Sequence, residues 1–123
     1  MHERDHRRWI AAAAGAAGLL AVAFTAGAEE RSLTRAVYEF AVTGYCGLQD
    51  PAVEAGFRAE AAALTARGGL GAEDARRQRL QGWIAAEEEW RNRGLGGNRA
   101  WCAEEGTVAA RHFRAIASGE AQP

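Results

Sequence analysis

An all-α fold is what this sequence predicts: a four-helix antiparallel up-down bundle, stapled by one disulfide and preceded by a signal peptide. Three observations lead there. Ala and Arg, both strong helix formers, are abundant, while β-branched residues are few. Four segments carry apolar residues at helical spacing, separated by short turns rich in Gly, Asn, Asp and Pro. Two cysteines, Cys46 and Cys102, close the first of these segments and open the last.

Residues 1–28 form a unit of their own. Arg4, Arg7 and Arg8 precede an uncharged run from Trp9 to Ala28, which ends in small residues, Ala26-Gly27-Ala28. A basic start, an apolar middle and a small-residue end are the pattern of a signal peptide cleaved after Ala28. The run is also about long enough to cross the ~30 Å hydrocarbon core if it stays attached as an anchor. In either case the helical domain, residues 29–123, is expected outside the cytoplasm, periplasmic or secreted. His2-Glu3-Arg4-Asp5-His6 matches the H-E-x-x-H zinc signature. It lies ahead of the apolar run, with no third ligand pattern downstream and no buried helix to hold it, so no metal is expected.

The first helix is expected from Ser32, whose hydroxyl can cap the opening N–H groups, to Cys46, with Gly47 ending it. Leu33, Val37, Phe40, Ala41 and Gly44 share its inner face, widened by Tyr38, Val42 and Tyr45. Asp50 before Pro51 starts the second: the carboxylate caps, and proline takes the first helical position, where its missing N–H costs nothing. Val53, Phe57, Ala61 and Leu64 form its stripe up to Arg67, and Gly68-Gly69-Leu70-Gly71 breaks it. The third and longest runs from Ala72 to Arg93, with acids in its first turn and arginines in its last, as the helix dipole favours. Leu80, Trp83, Ile84, Glu87 and Trp90 share one face, and packing of Trp83, Trp90 and Trp101 between the third and fourth helices is expected. The fourth starts at an Asn98 cap and buries Trp101, Cys102, Val108, Ala109, Phe113 and Ile116.

In an up-down bundle the first and last helices are neighbours, and this topology puts Cys46 and Cys102 at the same end. They are expected to form a disulfide, in keeping with an oxidising compartment. Their wide separation in the chain is unlike the C-x-x-C of redox enzymes, and the C-x-x-C-H of haem attachment is absent.

The net charge of −1 and the interspersed signs give no basis for nucleic-acid binding. All 15 basic residues are Arg, a bias ascribed to coding background. The Gly-rich turn before Asn98 lacks the Lys-Ser/Thr of a phosphate-binding loop and follows a helix instead of a strand. Glu87-Glu88-Glu89 reads as a solvated helix face, with Glu87 paired to Arg91. His112 has Glu105 two turns before it, and a His–Glu dyad there would be the seed of an active site.

The layout, a leader, a cysteine closing the first helix and another opening the last within Ala100-Trp101-Cys102-Ala103-Glu104-Glu105-Gly106, resembles small exported bacterial helical proteins of unknown function. That resemblance implies a stapled bundle over residues 32–117 and no activity. The expectation is a non-catalytic binding or accessory module without cofactors, partnered by an envelope protein and touching membrane only if the leader is retained. Trp90, Trp101, Glu87, Glu104 and His112 are the candidate binding surface. The alternatives are an envelope enzyme using Glu87–Glu89, Glu104, Glu105 and His112, and a membrane-anchored subunit.

Overall fold

Residues 30–94 and 96–123 are described by a computed structural model. The leader and its H-E-x-x-H motif lie outside the described residues, which are helical and contain no strand.

Helix α1 (Leu33–Tyr45) begins where the Ser32 hydroxyl accepts the Arg35 N–H at 3.0 Å. It stops at Cys46, and the next residue, Gly47, turns the chain at φ +67°. Helix α2 (Pro51–Arg67) opens with the Asp50 carboxylate accepting the Val53 N–H at 2.8 Å. That N–H, with the Arg114 guanidinium beside it, holds the Asp50 carboxyl below its ordinary pKa. Helix α3 (Ala72–Asn92) carries Glu73 and Asp74 in its first turn and Arg91 in its last, and Arg91 meets Glu87 as the i,i+4 spacing predicts.

The fourth rod is made of three pieces: α4 (Gly97–Trp101), a π-helical turn (Cys102–Gly106) and α5 (Thr107–Ser118). The backbone stays right-handed helical through both junctions. The rod starts one residue before the expected Asn98 cap, and Gly96 at φ +84° makes the bend into it. No side chain caps it, because a left-handed residue has already reversed the chain.

Helix α1 contributes to every part of the core. Leu33, Ala36 and Val37 meet Ala61 and Leu64 of α2. Ala41 and Val42 meet Ala86 of α3 and Trp101 of α4. Phe40 borders Val53, Ala110 and Phe113, stacking on Phe57 with ring centroids 4.1 Å apart. The disulfide joins Cys46 to Cys102, with Cα atoms 5.3 Å apart, so the two ends meet as the sequence predicts.

The closest packing is not between helices that follow one another. It pairs α1 with α3 and α2 with α5. Glycine permits both approaches. Gly82 of α3 lies against Thr34, Val37 and Tyr38 of α1, where an ideal Cβ would come within 2.6 Å of the Thr34 carbonyl oxygen. Further along, Trp90 stacks on Tyr45, so α3 lies alongside α1 with its chain running the same way.

This register corrects the expected packing of Trp83 between the third and fourth helices. The buried residues of α3 are Gly82 and Ala86, not Leu80, Trp83 and Ile84. Small side chains bring the two backbones together, and the large apolar ones are turned out. Leu80 is 56% exposed, and Trp83 and Ile84 are each 45% exposed. Val108, expected in the core, is 62% exposed, because the π turn shifts the phase of α5 and buries Ala110 in its place, beside the expected Ala109, Phe113 and Ile116.

Candidate functional site

The outward side of α3 presents a row of residues at alternating four- and three-residue steps: Glu73, Arg77, Leu80, Ile84, Glu87 and Arg91. This is the spacing of a coiled-coil seam. The fold places it there for a simple reason. Ala75 and Gly82 fall on the opposite side of the same helix, where Ala75 packs on the Leu33 cluster and Gly82 on α1. The seam's apolar centre, Leu80 and Ile84, is flanked by Trp83, whose ring meets the edge of Phe40 at 6.4 Å. Phe40 belongs to the aromatic core with Phe57 and Phe113, so Trp83 stands on a firm base. At its ends the seam is ionic, with Arg77 on Asp74 and Arg91 on Glu87 at 2.6 Å. Large apolar side chains contiguous on a helix and open to water are the usual mark of an interaction surface.

The residues singled out from sequence do not gather in one place. Glu87 lies on the α3 seam. Glu104 is exposed on the π turn. Trp101 is buried, with the Arg93 guanidinium over its ring at 4.8 Å, and Trp90 is wedged between Trp101 and Tyr45. A groove between α1 and α3 does bring together Glu88, Glu89 and Glu105, beside Tyr38. Arg93 pairs with both Glu89 and Glu105, and burial together with the nearby Glu105 carboxylate raises the Tyr38 hydroxyl above its ordinary pKa. His112 is not among the residues lining that groove.

The partner of His112 is Glu60, not Glu105. The imidazole Nε2 lies 2.6 Å from a Glu60 carboxylate oxygen, and the other oxygen accepts two hydrogen bonds from Arg31, at 3.0 and 2.6 Å. Glu60 is only 2% exposed. It ties the chain entering α1 to α2 and α5, and with its oxygens taken up by donors it reads as a buried structural ion network. The sequence did hold a sign of it. Glu60 falls on the apolar stripe of α2, between Phe57 and Leu64, and an acid there must find a cation.

Arg31 also binds Glu39, as does Arg35 at 2.8 Å. Burial alone would raise the Glu39 pKa, but the two guanidiniums outweigh it and hold the group below its ordinary 4.5. A depressed native value means that ionised Glu39 adds stability above the unfolded-state pKa, and that this is lost as pH falls through the native one. Acidification from about pH 5 to about pH 3 should therefore lower the urea midpoint, and Glu39→Gln should flatten that dependence. Identical slopes in the two proteins would refute the assignment.

No protein-family model matches the chain, and no curated protein or solved structure is similar to it.

Proposed function

We propose that this chain is an exported domain, periplasmic or secreted, that works by binding and not by catalysis, as an accessory module to an envelope protein. In this reading residues 1–28 are a signal peptide removed after Ala28, and residues 29–123 form an antiparallel up-down bundle. The observation that carries it is the outward row Leu80, Trp83 and Ile84 on a helix held rigidly from behind. The Cys46–Cys102 bridge supports export, since such bonds persist in oxidising compartments. Among the described residues no helix is long and apolar enough to cross a membrane.

The enzyme alternative draws on the Glu88–Glu89–Glu105 groove. Glu89 and Glu105 are matched by Arg93, while the imidazole that could serve as a base is engaged by Glu60 elsewhere. Binding is the better reading of this arrangement.

The test is a photoreactive residue placed at position 83 in the cell, with one at the exposed Arg58 of α2 as control. An adduct at position 83 that is missing at 58, on a chain whose N-terminus is Glu29, is the expected result. A chain starting at Met1 would favour the anchored subunit. No adduct at position 83, or equal adducts at both positions, would sink the binding role.

A further inference from the structure

We infer that the partner of the α3 seam is a second copy of this chain, lying antiparallel across a two-fold axis near Gly82. The inference rests on the reading of α3 as a binding surface and names its occupant.

A symmetric dimer interface must be self-complementary: if one residue meets a second across the axis, the second meets the first. Pairing the seam with an inverted copy of itself about Gly82 satisfies this at every layer. Leu80 meets Ile84 of the other copy, so the apolar centre closes on itself. Arg77 meets Glu87, and Glu73 meets Arg91. Each of these layers occurs twice, giving four oppositely charged matches outside two apolar ones.

The same residues reject the other orientation. In a parallel pair each seam residue would face its own copy, so Arg77 would meet Arg77, Glu87 would meet Glu87, and the Glu73 and Arg91 layers would repeat the fault. Charged seam residues specify orientation and register in this way, at some expense in strength. One flank of the antiparallel pair sets Asp74 near Glu88, but Asp74 is already held by Arg77. The residues that would meet are exposed in the single chain, and α3 needs no rearrangement to present them. With only Leu80, Ile84 and the adjoining Trp83 to bury, the dimer is weak and concentration-dependent.

Sedimentation equilibrium of the purified protein, from about micromolar to about millimolar concentration, tests this. A reversible dimer with Kd below about one millimolar is expected. Arg77→Glu alone and Glu87→Arg alone should each weaken it by roughly tenfold, since either makes two layers like-charged. An equimolar mixture of those two variants should recover the affinity, because every layer of the mixed dimer again pairs opposite signs. Leu80→Ser should weaken association as much or more through loss of apolar contact. A protein that stays monomeric over the whole range overturns the inference, as does a mixture no tighter than its two components. A monomer whose position 83 still captures a different envelope protein would overturn self-pairing and leave the binding role standing. A dimer that obeys the charge swaps, with position 83 giving adducts only between copies of this chain, would sustain self-pairing and remove the accessory role.

Discussion

With Cys46 and Cys102 both replaced by Ser, or with the native bridge reduced, the protein should lose about 4 kcal/mol of stability. The bridge closes a loop across a sequence separation of 56 residues, long enough that its main effect is to restrict the unfolded chain. Domains of this size are stable by about 5–15 kcal/mol, so the loss is a large share and should lower Tm by roughly 20 °C. Thermal and urea denaturation with and without reductant read it directly. An unchanged midpoint would mean that packing alone holds α1 to the fourth rod. The environment of the bridge sharpens the expectation. Gly106, on the π turn, lies against Cys46, and an ideal Cβ there would stand 2.9 Å from its sulfur. Gly106→Ala should therefore weaken the bridged protein more than the Cys-free one, because the added methyl presses on the side chain that the bridge fixes in place.

Gly56→Ala is the second large effect. An ideal Cβ at Gly56 would overlap the carbonyl oxygen of Phe113 outright and lie 2.9 Å from its Cα. A backbone atom cannot swing aside as a side-chain tip can, so α2 and α5 would have to part. Their separation strains the Glu60–His112 contact and the Arg114–Asp50 pair, and opens the packing of Val53 on Phe113. In a helix interior Ala is otherwise better than Gly by about 1 kcal/mol. The overlap should reverse that sign and leave a net loss of about 3 kcal/mol, at the upper end of overpacking costs. Gly71→Ala is the control for added bulk alone: nothing lies near its Cβ position and its φ is −71°, so it should cost no more than the loss of a glycine N-cap on α3, about 1 kcal/mol or less. Equal urea midpoints for the Gly56→Ala and native proteins would refute the close approach of the two helices.

Much of the fold is legible in the sequence. Ser32, Asp50-Pro51 and the glycines after each helix set the boundaries, because caps and turns act within a few residues of themselves. The disulfide was legible too, since short turns and helix lengths put both cysteines at one end. The face of α3 was not. Apolar periodicity finds the stripe Leu80, Trp83, Ile84, but it cannot tell a stripe turned inward from one turned outward. Here the small residues, Gly82 and Ala86, mark the inner side. Contact between backbones wins over burial of bulk, and a hydrophobicity pattern gives glycine no weight. The pairing of His112 with Glu60 is hidden for a related reason: the two lie far apart in the chain and meet only once α2 lies on α5.

By itself the sequence determined the helices, their ends, and the pair of thiols that would meet, since each depends on local backbone chemistry or on chain length. Tertiary structure alone decided which helices touch, and with that the burial of Glu60 and the exposure of Leu80, Trp83 and Ile84. Those outcomes turn on how closely two backbones can approach, a property of paired surfaces that no single segment contains.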